Sequence, residues 1–257
     1  MIIAFEFIFE TPQNLPPPFS HTYRLLGKFD HIFSLNYELF YTGRDQLSTE
    51  EIWEEGFSED DNVQYQSELP SIWKNEILRL LKNVESTSKN PEPHENRLFL
   101  RIYHQHKDNT QKVQELIPKN SKVWEQTMQE LIQALLEIQK IELPLVLTFL
   151  QTQRSHFTKV IIEVLFAERK VKLLISNNQH KNNTKRVGWQ EMRQLVDMTF
   201  NNEFDLEKAQ TKFPKTYGFF INLGDEFWFE AEKSVLDISQ KNTNLNQLEK
   251  FILKLSQ

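Results

Sequence analysis

Apolar and polar positions alternate from the first residues of the chain. Ile3, Phe5, Phe7 and Phe9 take one side, while Glu6 and Glu10 fall on the other. A two-residue period of this kind predicts a half-buried strand. Pro12 and then Pro16, Pro17 and Pro18 end it, because proline donates no ladder hydrogen bond. The alternation returns at Phe33, Leu35, Tyr37, Leu39 and Tyr41, which predicts a strand over 32–41, and again over 98–103. In the second half, 145–150 is a continuous apolar run, the pattern of a central strand buried on both faces. Val160, Ile162, Val164 and Phe166 alternate, 167–170 turns, and Val171, Leu173 and Ile175 alternate in reply, which predicts a hairpin. The segments 217–223 and 226–230 flank Gly224-Asp225, an order that suits a type II′ hairpin turn.

Helical periods separate these strands. Ser48-Thr49-Glu50-Glu51 has the capping-box order, with a serine cap and a glutamate three residues on. It predicts a short acidic helix through Trp53 that stops at Gly56. After Pro70, Ile77, Leu78, Leu81 and Val84 predict a helix over 71–84. Trp124, Met128, Leu131, Leu135 and Ile138 mark the longest helix, over 122–140. Further helices are expected over 189–200 and around Leu245, Leu248, Ile252 and Leu255. The stretch 85–95 is polar and holds Pro91 and Pro93, and 177–185 is polar too. Both read as loops. Strands and helices in mixed order predict an α+β fold, a mostly antiparallel sheet with hairpins flanked by helices. Each half places strands before helices, so two related halves are expected. We read 1–257 as a single compact unit, with a candidate subdomain boundary in the polar loop 85–96.

Composition narrows the chemistry. At 257 residues and 39% hydrophobic content, the chain can bury a sizeable core and is not of the disordered class. Twenty Phe are the main apolar content, and each contributes about 2–3 kcal/mol when buried, so they are expected to dominate the core. Only six Gly are present, and none forms the phosphate-cradling loops of common nucleotide sites. Absence of Cys excludes disulfides, thiolate metal sites and cysteine nucleophiles. No Gly-x-Ser-x-Gly elbow occurs. No apolar run reaches the roughly 18–20 residues of a membrane span, and the first residues lack the basic region of a secretory signal. The expected location is the cytoplasm, with no membrane partner. The net charge of −6 argues against broad binding to nucleic acid.

Charge is segregated along the chain. Residues 45–73 hold nine acids and no Lys or Arg, together with Trp53, Phe57, Tyr65 and Trp73. Residues 169–190 hold Lys and Arg and no acid, and include Trp189. The acidic candidates are Glu50, Glu51, Trp53, Glu54, Glu55, Glu59, Asp60 and Asp61. The basic candidates are Arg169, Lys170, Lys172, Lys181, Lys185, Arg186 and Trp189. Read functionally, each patch docks an oppositely charged protein, a second copy of this chain in a homodimer included, with Trp and Arg as anchors. Read plainly, the acids are a solvated helix with Trp53 and Phe57 turned inward, and the lysines guard a sheet edge. A calcium loop starting at Asp60 fails, since Tyr65 stands where glycine is required and Ser71 where a bidentate Glu is required.

Other constellations are thin. His104 and His106 stand two apart, yet no third ligand is identifiable, and His180 falls in a loop. No metal or cofactor is assigned. Glu168-Arg169-Lys170 has the Glu-x-Lys spacing of some nucleases, but a hairpin turn accounts for it. Asp225, Glu226, Glu230 and Glu232 crowd the last hairpin. The expected function is a non-enzymatic protein-interaction protein of adaptor, inhibitor or immunity type. The alternative is a metal- or carboxylate-dependent hydrolase using Glu163, Glu230 or the acidic cluster.

Overall fold

The structure is a computed structural model that describes residues 1–154, 156–178, 183–231, 233–237 and 243–256. Its contacts divide the chain into two compact units, Met1–Glu142 with Phe166–Glu168, and Leu143–Leu165 with Arg169–Gln257. The polar stretch 85–96 lies inside the first unit.

In the first unit the elements are β1 (Ile2–Glu10), β2 (His21–Phe29), β3 (Phe33–Tyr41), α1 (Thr49–Glu54) and β4 (Val63–Leu69). They continue as α2 (Ser71–Lys82), β5 (Ser86–Thr87), β6 (Arg97–Gln105), β7 (Gln111–Pro118) and α3 (Ser121–Ile138). The sheet order is β4-β3-β2-β1-β6-β7-β5, and its pairs are antiparallel. Alternate residues of β1 turn inward as their period predicts. Phe5, Phe7 and Phe9 are buried with Tyr23, Leu25, Leu35, Leu100 and Ile102. Helix α2 adds Trp73, Ile77 and Leu81, and α3 adds Trp124, Met128 and Leu131. The Trp124 ring stacks on Phe7 at 6.4 Å, and the Trp73 indole donates to the carbonyl of Phe166 at 2.8 Å.

Strand β2 is not predicted by the apolar pattern. Tyr23, Leu25 and Phe29 do share its inward face, but the remaining inward place is Gly27, directly opposite Phe5. A Cβ at Gly27 would lie 2.1 Å from the Phe5 ring. The ring therefore lies across the glycine and fills the gap left by the missing side chain.

The other face of this sheet carries an ion network. Glu6, only 2% exposed, accepts from Arg24, from Arg101 at 3.0 Å and from the Tyr103 hydroxyl at 3.1 Å. Arg101 also pairs with Glu115 at 2.7 Å. Burial works to raise the Glu6 carboxyl, but the hydrogen bonds from Arg101 and Arg24 outweigh it and hold it below the usual carboxylate range.

In the second unit the elements are β8 (Leu145–Thr152), β9 (Phe157–Leu165), β10 (Lys170–Asn177), β11 (Asn183–Arg186) and α4 (Trp189–Phe200). They continue as β12 (Asn202–Phe204), β13 (Gly218–Asn222), β14 (Phe229–Glu230), β15 (Val235–Asp237) and α5 (Thr243–Ser256). The main sheet runs β11-β10-β9-β8-β13-β14, and β12 pairs with β15 separately. This repeats the strand plan of the first unit. Four strands meander, a helix follows, and the next long strand returns beside the first. The fold is α+β with two similar antiparallel halves.

Several local expectations need correction. The stretch 177–185 is not all loop, because Asn183–Arg186 pairs with β10 as β11. The hairpin after β13 forms, yet it lacks the tight two-residue turn. The Asn222 side-chain amide donates to the carbonyls of Asp225 at 2.7 Å and Phe227 at 2.8 Å, and so holds a wider loop open before β14. Gly224 serves that loop with φ at +94°, where a Cβ would lie 2.7 Å from the Val146 carbonyl oxygen. Phe does not go uniformly inward: Phe19, Phe40, Phe99, Phe157, Phe200 and Phe213 are exposed. Among the described residues, no helix is long and apolar enough to cross a membrane.

Candidate functional site

The acidic candidates occupy the connection between β3 and β4, residues 42–62. Helix α1 forms there as its capping box predicts. The Ser48 amide donates to the Glu51 carboxylate at 2.8 Å, and the Glu51 amide donates back to the Ser48 hydroxyl at 3.3 Å. These bonds from the Ser48 backbone and hydroxyl hold the Glu51 carboxyl below its ordinary pKa. At the other end, Gly56 takes φ of +81°. Its amide donates to the Trp53 carbonyl at 2.9 Å, and the Phe57 amide donates to the Ile52 carbonyl at 3.1 Å, which closes the helix in a glycine cap. Ile52 is the only buried residue of α1.

Trp53 and Phe57 separate. Phe57 packs edge-on to Phe19 at 5.4 Å and against Tyr41 at 5.7 Å. Trp53 does not turn inward: it is 63% exposed. A helix of six residues with one buried position has a single inward direction, and Ile52 takes it.

Arg44, which no sequence pattern singles out, organises the whole connection. It is buried, with its guanidinium 3.6 Å from the Tyr41 ring centroid and 4.7 Å from that of Phe57. It donates to the carbonyls of Pro18 at 3.2 Å and Ser58 at 2.6 Å, and to the Asp61 carboxylate at 2.8 Å. Asp61 also accepts from the Ser58 hydroxyl at 2.6 Å and the Ser58 amide at 2.8 Å. Those Ser58 bonds, with Arg44 behind them, outweigh burial and bring its carboxyl down to about 2. The available signal was a lone Arg three residues after Tyr41 and immediately ahead of the acidic run that starts at Asp45.

The acidic cluster therefore divides. Asp61 and Glu51 hold the connection together, and Glu59 accepts from the Thr49 hydroxyl. The side chains of Glu50, Glu54, Glu55 and Asp60 are exposed, and no hydrogen bond or ion pair among the described residues engages them.

The basic candidates belong to the second unit. Lys170 and Lys172 share the outward face of β10, while Val171 and Leu173 turn inward. Lys172 pairs across the sheet with Glu163 at 2.8 Å and stands opposite Arg186 of the edge strand β11. The Lys185 ammonium donates to the Leu255 carbonyl at 3.4 Å. Arg169, with φ of +51° in the β9–β10 turn, sits 5.3 Å from the Trp189 ring centroid. Lys181 lies outside the described residues, as do His180 and Glu232.

The remaining candidates stay apart. His104 ends β6 opposite Lys112, and His106 lies in the following loop. Among the described residues, no group of three His, Asp or Glu is placed to hold a metal ion. Glu168 is an exposed turn residue. Glu163 is engaged by Lys172, and Glu230 pairs with Lys233 at 2.7 Å. Comparison of the chain with known protein families, with curated proteins and with solved structures found no match in any of the three.

Proposed function

We propose that this chain is a non-enzymatic interaction protein, an adaptor or inhibitor, that docks a basic segment of another protein on the β3–β4 connection. The observation that carries this reading is the exposure of Trp53, 63%, on a helix that also presents Glu50 and Glu54 to solvent. An indole at the surface leaves apolar area that a partner can cover, worth about 2–3 kcal/mol. Carboxylates around it steer a cationic partner and reject an anionic one. The cap at each end of α1 and the Arg44 clamp hold the face ready, so little ordering cost remains for binding.

The test is affinity capture from cell lysate at moderate salt, identification of the retained protein, and calorimetry with that protein purified. Trp53→Ala and the double variant Glu54→Lys/Glu55→Lys should each weaken binding at least ~10-fold, with unchanged circular dichroism. Raised salt should weaken the wild type more than the charge-reversed protein. Equal affinity for all three proteins would sink the proposal.

A further inference from the structure

We propose that the second unit binds single-stranded nucleic acid on the outward face of its main sheet. Val160, Ile162 and Val164 of β9 are buried, so Phe157, Lys159 and Ile161 turn the other way. Phe157 is 42% exposed, and Phe213, in the connection before β13, is 52% exposed. The Lys159 ammonium lies 6.0 Å from the Phe213 ring centroid, which puts that ring beside the same face. Phe157 and Lys159 stand two residues apart on one strand, a rise of about 7 Å. A ring and a cation are thus within reach of one nucleotide, the ring for its base and the ammonium for its phosphate.

The connection that carries Phe213 is held in place. The Gln210 amide donates to the Trp228 carbonyl at 3.0 Å, and the Trp228 amide donates back to the Gln210 carbonyl at 2.8 Å. Pro214 is buried, while Lys212, Phe213 and Lys215 around it are exposed. Trp228 meets Phe213 edge to face, with centroids 5.5 Å apart and planes at 75°. A contact of that geometry leaves each ring a face that the other does not cover, and an uncovered face is what a base stacks on.

The cations beside these rings lack acidic partners. Among the described residues, no ion pair or side-chain hydrogen bond engages Lys159, Lys212 or Lys215. Glu163, the one acid on the outward face of β9 and β10, is taken by Lys172. Unpaired ammonium groups interleaved with exposed rings complement a strand that alternates phosphate with base. The net charge of −6 repels a polyanion elsewhere on the chain and confines binding to this face. A duplex keeps its bases stacked on one another and offers none to the rings. A lipid surface is met by apolar side chains that project past the cations, whereas Lys159 stands beside both Phe157 and Phe213.

The experiment is a fluorescence-anisotropy titration of a labelled oligothymidylate, about 15 nucleotides long, with the full chain at several salt concentrations. The strand should bind, and its affinity should fall as salt rises. The same strand in a duplex with oligodeoxyadenylate, and vesicles of anionic phospholipid, should each bind at least ~10-fold more weakly. Phe157→Ala and Phe213→Ala should each weaken the strand at least ~5-fold with unchanged circular dichroism, while Phe213→Tyr should bind as the wild type does. Lys159→Ala/Lys212→Ala/Lys215→Ala should flatten the slope of log affinity against log salt by about 2, since each phosphate contact contributes about 0.7 on a single strand. Phe40→Ala, which removes an exposed ring of the first unit, should leave binding unchanged. The proposal is overturned if the strand does not bind, if the duplex or the vesicles bind as tightly, if both folded Phe→Ala variants bind as the wild type does, or if the lysine variant keeps the wild-type slope.

Discussion

The two halves of this chain follow one strand plan and differ at the connection between their third and fourth strands. Both run a four-stranded antiparallel meander, add a helix, and bring the next long strand back beside the first. Between the third and fourth strands, the first half inserts residues 42–62 with α1, whereas in the second half only five residues separate the end of β10 from the start of β11. Antiparallel pairing needs only a short turn at that place, so the second half shows what the sheet requires. A longer loop adds only about 0.6 kcal/mol of closure cost per doubling of length, and fold stability does not explain keeping it capped, clamped and acidic. Connections of this kind are where binding surfaces are carried on a rigid scaffold. The basic strands of the second half teach the converse. Lys172 faces Glu163 and Arg169 lies over Trp189, so charge that looks like a patch in the sequence is worked into the sheet.

Arg44→Ala should have the largest effect, because it loosens the insertion that distinguishes the halves. It removes a buried guanidinium from three acceptors and two rings. We expect a loss of about 3 kcal/mol, read as a lower urea midpoint. Hydrogen exchange should quicken across 42–62 while amides of β1 and β6 stay protected. An unchanged midpoint would mean that Arg44 is not the clamp.

Acid should come next. The folded Asp61 carboxyl titrates at about 2, below the roughly 3.9 of an unfolded Asp. Its stabilisation is therefore complete above about pH 4 and lost as pH falls through about 2. Glu6 is also lowered, so it adds a loss of the same sign. Denaturant unfolding across this window should show the decline in the wild type, a shallower decline in Asp61→Asn, and the shallowest in Asp61→Asn/Glu6→Gln. Parallel curves for all three would remove these carboxylates from the account.

The smallest effect belongs to the basic side. Lys172 is 59% exposed and Glu163 35%, so Lys172→Ala should shift stability by less than about 1 kcal/mol, and high salt should shrink that further. A shift of several kcal/mol would make the pair a structural anchor and reverse the contrast between the halves.

Local periodicity made much of the fold legible. Strands β1, β3 and β6, the β9–β10 hairpin and every helix longer than two turns sit where alternation or helical spacing predicts. Two of the strands that the pattern did not predict, β2 and β7, have identifiable causes. Gly27 interrupts the apolar row of β2 because the Phe5 ring needs its space. In β7, Gln111 to Glu115 are exposed, so both faces read as polar. At the candidate site, Ser48 and Glu51 announced the cap, but nothing in the order of residues told Trp53 from Phe57. Their difference depends on Phe19, Tyr41 and Arg44, which approach from other elements.

The amino-acid sequence by itself determined the α+β class, the absence of cysteine chemistry, the lack of a common phosphate loop, and the separation of acid from base along the chain. These follow from composition and from the covalent geometry that sets periods of two and 3.6 residues. Only the tertiary structure decided the order of strands, and which charges serve the fold and which face solvent. Glu6 is held by Arg101, 95 residues away, and Asp61 by Arg44 across a turn of chain. Burial and ion pairing depend on such partners, and distance along the chain does not encode them.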